Sequence, residues 1–180
     1  MTEQSTVKIS EELSFEAALE FTQTLLDRDA TGTLSAAEFQ QAVTDLVASE
    51  NGARGFFVVY LSDPRSQSDA PAAAIIAALK TAPDVVAPLL VKNLVMSTAM
   101  AITHRRNQNE ELAAGSDRVQ GRSLNLIQHL QSAQLSQQTA ALAHSLHTGT
   151  GTYQAFLTRW GYDPEQQQAM AQALKQTGLL

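Results

Sequence analysis

The chain has 180 residues, 44% hydrophobic and 17% charged, which is long enough to bury a core without covalent staples. It has no cysteine, so disulfides, thiolate metal sites, iron–sulfur clusters and cysteine nucleophiles are excluded. A formal net charge of -6 argues against nucleic-acid binding, which draws on a basic excess.

The opening run MTEQSTVKISEEL is polar and acidic and lacks the basic end and apolar stretch of a signal peptide, so a cytoplasmic location is expected. The charge is unevenly divided. Residues 1–90 carry 5 basic and 13 acidic side chains, net -8, and residues 91–180 carry 7 and 5, net +2. Two faces of opposite sign are therefore available to a protein partner.

In chain order, Ser10 or Ser14 is placed to cap a first helix running to Leu26. Ser35 with Glu38 forms a capping box that opens a second. The run Gly55 to Leu61 has the content of a buried strand, but no second strand stands beside it in the sequence, and helix is preferred. Asp69-Ala70-Pro71 predicts a helix through Ile75, Ile76 and Leu79, stopped by Pro83. A long apolar helix follows from about Asp84 to Arg106. Its window Val85 to Thr103 matches a bilayer in length, yet Lys92 and Asn93 lie at its centre, and a central lysine costs roughly 3 kcal/mol on insertion scales. A buried helix is expected there, not a membrane span. Ser116 is placed to cap another helix carrying Val119, Leu124, Ile127 and Leu130, and Ser136 to open one that stops near Gly149. Asp163-Pro164-Glu165 starts the last. The expected fold is all-α, a multi-helix bundle of seven or eight helices in a single domain over 1–180.

One stretch carries specific chemistry. Asp27 to Phe39 reads DRDATGTLSAAEF, with short carboxylates at Asp27 and Asp29, a hydroxyl at Thr31, a glycine at Gly32 and a longer carboxylate at Glu38. This run resembles the twelve-residue calcium loop of the EF-hand superfamily. The resemblance implies ligands from Asp27, Asp29, Thr31, the Thr33 carbonyl, Ser35 and a bidentate Glu38, with Leu34 at the apolar eighth position. After the loop, Phe39, Ala42, Val43 and Leu46 keep the family's apolar spacing. Before it, Thr22 and Gln23 break the pattern, and Leu25 and Phe21 suggest a rotated buried face. The resemblance covers about residues 15–48, and the expected organisation is an EF-hand-like helix-loop-helix at 10–50 packed on a helical body at 51–180. With three carboxylates and Arg28 nearby, calcium affinity is expected at about 10⁻⁵ to 10⁻³ M. EF-hands usually pair through the eighth position, so Leu34 needs a partner, either the protein's own helices or a second chain in a homodimer. Without a metal, a helix end, a turn at Gly32 and the capping box account for most of the same letters but leave two adjacent acids opposing the helix dipole, which a cation would relieve.

Other groups carry less. His144 and His147 share a helical face but lack a third ligand. Thr148 to Thr152 reads as a connection, and Tyr153, Phe156, Trp160 and Tyr162 as satellite core. Arg105, Arg106, Arg118 and Arg122 converge if their helices form a hairpin, making a patch for an anion or an acidic protein. His104 adjoins them, but no catalytic set accompanies it. The expected role is non-catalytic regulation or assembly through calcium, with a metal-free adaptor, using its acidic N-terminal half or the arginine patch, as the alternative.

Overall fold

The computed structural model describes residues 13–180. Ser10 lies outside that range, and Ser14 is the cap of the first helix, accepting from the Ala17 amide. Nine α-helices follow among the described residues: α1 Phe15–Ala30, α2 Ala36–Val47, α3 Glu50–Ser62, α4 Ala73–Leu79, α5 Pro83–Arg106, α6 Glu110–Leu130, α7 Ala133–Thr148, α8 Gln154–Trp160 and α9 Pro164–Gln176, with a 3₁₀ turn at Ser66–Asp69. The described residues contain no strand.

The run Gly55 to Leu61 lies inside α3, capped by Ser49. Its apolar side chains recur at helical spacing, burying Phe56, Phe57, Tyr60 and Leu61 while Val58 stays exposed. Three expected starts move. The fourth helix begins at Ala73, behind Ala72 and without a side-chain cap. The sixth begins one and a half turns before Ser116, because the Asn109 side chain accepts from the Leu112 amide. The seventh begins at Ala133 because Ser132, not Ser136, accepts from the Leu135 amide. The short helix α8, inside the aromatic stretch, was not expected.

Helix α5 is the central element and packs on α6, α9, α7 and α3, while α1 lies on α3 and α2 on α4 and α3. It is long and apolar enough to cross a membrane by length and composition, and 56% of its apolar window is buried. Ser97 and Thr98 return their hydroxyls to carbonyls one turn back, so α5 satisfies its own buried polar groups. One contiguous apolar core joins residues from Ala18 to Leu174.

The buried face of α1 is Ala18, Thr22, Leu25 and Leu26, so Leu25 joins the core as expected while Thr22 is buried and Phe21 only half-buried. This face meets α3 at close range. A Cβ on Gly55 would stand 2.4 Å from the Ala18 Cβ, so the two backbones meet only because position 55 is glycine. Helices α1 and α2 consequently pack more on α3 and α4 than on each other.

Candidate functional site

The α1–α2 connection is built from terminators. Helix α1 extends beyond Leu26 to Ala30 and therefore includes Asp27 and Asp29. The Thr33 amide donates to the Arg28 carbonyl at 3.0 Å and the Gly32 amide to the Asp29 carbonyl at 3.0 Å, with Gly32 at φ +66°. This is the Schellman closure, and it requires the left-handed residue that glycine supplies. The Thr31 and Thr33 hydroxyls donate to the Arg28 carbonyl at 3.1 and 2.9 Å. Ser35 and Glu38 form the full capping box of α2, with Glu38 Oε2 accepting from the Ser35 amide at 2.8 Å and its hydroxyl at 2.7 Å. The Ser35 amide and then its hydroxyl hold the Glu38 carboxyl below its usual range.

Asp27, Asp29, Thr31, Thr33, Ser35 and Glu38 thus share one connection, in which the Thr31 and Thr33 hydroxyls meet at 3.2 Å and Glu38 is taken up by Ser35. Among the described residues no group of three or more His, Asp or Glu side chains is arranged to hold a metal. A cation does meet Asp27: Arg65 Nη1 donates to Asp27 Oδ1 at 2.9 Å. The same guanidinium grips Asp63, with Nε donating to Oδ1 at 2.9 Å and Oδ2 at 3.0 Å, and Nη2 completing a fork. Asp63 is buried, and the Arg65 guanidinium, outweighing the desolvation, holds its carboxyl below the ordinary range.

Beneath this pair lies a cavity of about 100 Å³ whose wall includes Leu26, Asp29, Phe39, Tyr60, Asp63 and Arg65. It sits between the α1–α2 connection and the chain leaving α3. Tyr60 stacks on Phe56 with ring centroids 5.2 Å apart, and its phenol oxygen is buried with no hydrogen-bond partner among the described residues. Burial pushes that phenol up to about 12.

The four arginines do not form one patch. Arg105 pairs with Asp117 and Glu110, both one helix away, and Arg106 with Asp163 and Glu165 at the start of α9. Arg122 is only 3% exposed. It donates to the carbonyls of Leu61 at 3.2 Å, Asp63 at 2.7 Å and Arg65 at 2.9 Å, and pairs with Asp69. It satisfies the orphan carbonyls where α3 ends and fixes the chain that carries Asp63 and Arg65 over the cavity. From sequence alone Arg122 reads as a surface residue, because its partners are carbonyls, which leave no signature in side-chain spacing. Arg118 is half-buried.

A second concavity, about 350 Å³, opens where α3 ends and the α5–α6 hairpin runs on. Met96, Met100, Leu112, Gly115 and Val119 supply its apolar surface, with Leu112 52% exposed, and His104 lies at its margin. His104 and Arg122 therefore belong to different places. His144 and His147 are exposed on α7, and the 149–152 connection is held by the Tyr153 amide donating to Ser145 Oγ at 3.1 Å. Tyr153 and Tyr162 belong to the core, whereas Trp160 is 52% exposed.

The described residues form an all-helical fold with a small cavity of mixed apolar and charged lining and an apolar surface groove. The chain belongs to the family described as uncharacterised conserved protein UCP020893, whose model matches residues 14–177. No curated protein and no solved structure matches it.

Proposed function

We propose that this chain is a non-catalytic helical interaction protein that receives an amphipathic helix of a protein partner in the groove formed by α3, α5 and α6. The observation that carries this reading is the exposure of Met100 and Leu112 on one continuous apolar surface, beside a Gly115 whose missing Cβ leaves open space for a close backbone approach. Methionine side chains adapt to varied apolar partners, and an apolar groove between helices accepts a helix through residues spaced three and four apart. Beside His104, the groove's polar members, Ser62, Asn93, Ser97 and Ser116, are uncharged, and no acidic, lysine or arginine side chain lines it, which favours a partner face without charge at its centre. A photo-crosslinking residue placed at Leu112 in cells should trap a protein through an amphipathic helical segment, while the same residue at exposed Trp160 should not. Equal trapping at both positions, or none at Leu112, defeats the reading.

Calcium at the α1–α2 connection is the second reading, favoured by the presence of Asp27, Asp29 and Glu38 around a Gly32 already at φ +66°. It requires Asp27 to exchange Arg65 for the ion and Glu38 to release the Ser35 amide. Calorimetric titration of the chain with calcium, beside Asp27→Ala and Glu38→Gln, tests it. Heat in the parent that is lost in both variants supports the site, and equal heats in all three dismiss it.

A further inference from the structure

An occupant of the α3–α5–α6 groove needs an uncharged face at helical spacing, and α6 itself presents one. Leu112, Gly115, Ser116 and Val119 line the groove from α6 at intervals of three, one and three, which lays them along one side of the helix. Farther along α6 the same side is buried at Ser123, Leu126 and Leu130. Toward the start of α6 it runs past the end of α3 at Ser62, and Leu112 is left exposed. The uncovered face is therefore the continuation of a core stripe beyond the helix that covers it.

The border of this face carries two charges without partners. Glu111 and Arg118, seven residues apart and so on one side of α6, form no ion pair among the described residues, whereas Arg105 pairs with Glu110 and Asp117, and Arg106 with Asp163 and Glu165. We infer that the groove takes α6 of a second copy of this chain, giving a symmetric dimer; this rests on the reading of the groove as a helix acceptor and names the helix. The run Leu112-x-x-Gly115-Ser116-x-x-Val119 has the same spacing in either direction. Two antiparallel α6 helices crossing between Gly115 and Ser116 set Leu112 against Val119 of the second copy, and the twofold axis repeats the contact. The same register brings Glu111 beside Arg118 of the second copy, so the two unpaired charges become two reciprocal ion pairs at the rim. Nothing lies within 4 Å of a Cβ at Gly115, which leaves room for the backbones where they cross. Residues 83–130, which contain α5 and α6, carry 5 basic and 4 acidic side chains, net +1, on a chain of net -6. Two hairpins can thus meet without the like-charge repulsion that the acidic N-terminal half would impose.

The test is sedimentation velocity of the purified full chain from about 1 μM to about 1 mM, a range that brackets the Kd on the order of 10⁻⁵ M expected of a small interface. Leu112→Asp should weaken the dimer about a hundredfold, because the twofold axis removes the anchor at both ends. Glu111→Arg and Arg118→Glu, each alone, set like charges together in both reciprocal contacts and should weaken it roughly tenfold. Mixed in equal amounts, these two variants should form a heterodimer about as tight as the parent dimer, since each then meets its opposite charge. A disturbance of α6 within one chain would not be rescued by mixing. The inference is overturned if the parent chain stays monomeric throughout, if Leu112→Asp dimerises like the parent, or if the mixture is as weak as its components. A monomeric chain whose crosslinker at Leu112 traps a helix of a different protein sinks this inference alone. A monomeric chain with no trapping at Leu112 sinks the reading of the groove with it.

Discussion

Arg65 Nη1 stands 2.9 Å from Asp27 Oδ1, and through this contact the chain leaving α3 supplies the positive charge that the C-terminal end of α1 needs. Two acids in the last turn of a helix oppose its dipole, and Arg28 is the one basic residue of that turn. Further relief arrives from 38 positions away. Because the same guanidinium also neutralises Asp63, whose side chain is 2% exposed, Arg65→Ala leaves a buried carboxylate unpaired. The expected loss is about 2 kcal/mol, below the full cost of breaking a buried pair because Arg65 itself is partly exposed. Urea denaturation followed by circular dichroism measures it. Under the calcium reading the same substitution removes the competitor for Asp27, so calcium should bind more tightly to Arg65→Ala than to the parent chain.

The helical fold was legible because its signals are local. Ser35 with Glu38, Asp163 with Pro164, and Gly149 with its left-handed backbone each act within four residues. The starts at Asn109 and Ser132 were missed because Ser116 and Ser136 are equally good caps by type, and only packing on α5 selects between them. The site was less legible. Asp27, Asp29, Gly32 and Glu38 fit a metal loop by spacing, and in the structure the same letters terminate one helix and start the next. A glycine at φ above zero and a Ser–Glu pair serve either purpose, and Arg65, which holds Asp27, lies outside the motif. Arg122 was misplaced for a related reason: a long arginine reads as surface until the carbonyls it satisfies are seen.

Glycine at position 55 permits the crossing of α1 over α3. Besides the 2.4 Å approach to the Ala18 Cβ, an added methyl would lie 2.9 Å from the Ala18 carbonyl carbon, which belongs to the backbone and cannot rotate aside. Gly55→Ala should therefore destabilise the chain by about 2 kcal/mol through overpacking, despite alanine's better helix propensity. Gly121→Ala is the control. Nothing lies within 4 Å of a Cβ there, so the propensity gain should appear as stabilisation of up to about 1 kcal/mol. Thermal melts of both variants beside the parent chain check the opposite signs.

Acid should weaken the contact between the α5 C-terminus and the start of α9. Arg106, then the Gln166 amide, lower the Asp163 carboxyl to about 2 from an ordinary 3.8. A carboxyl depressed on folding contributes stability that is complete above the unfolded value and lost as pH falls through the folded one. This contribution should therefore be constant above about pH 5 and disappear between about pH 4 and 2. Asp163→Asn keeps the N-cap acceptor and removes the charge, so its stability should fall less steeply over that window. Asp63, held low by Arg65, acts in the same direction, so some acid sensitivity should persist in the variant. Urea midpoints measured from pH 6 to 2 resolve the difference in slope.

Arg122 distinguishes a charge requirement from a shape requirement. Its Nη1 and Nη2 reach the Asp63 and Arg65 carbonyls at 2.7 and 2.9 Å while Nε donates to Asp69 Oδ1 at 2.9 Å, three directions served by one rigid planar group. Lysine supplies the charge but only a single ammonium on a flexible stem, so Arg122→Lys should leave carbonyls at the α3 terminus without donors. Removing the group altogether, as Arg122→Met, also leaves Asp69 unpaired, but Asp69 is exposed and returns to solvent at little cost. Arg122→Met should therefore lose about 3 kcal/mol, with lysine recovering less than half of it. Because Arg122 fixes the segment carrying Asp63 and Arg65, both should also raise amide hydrogen exchange at 61–69 more than in α9, which Arg122 does not touch. Full rescue by lysine, or exchange rising equally in α9, would show that charge alone or global stability explains the residue, and the positioning role would be lost.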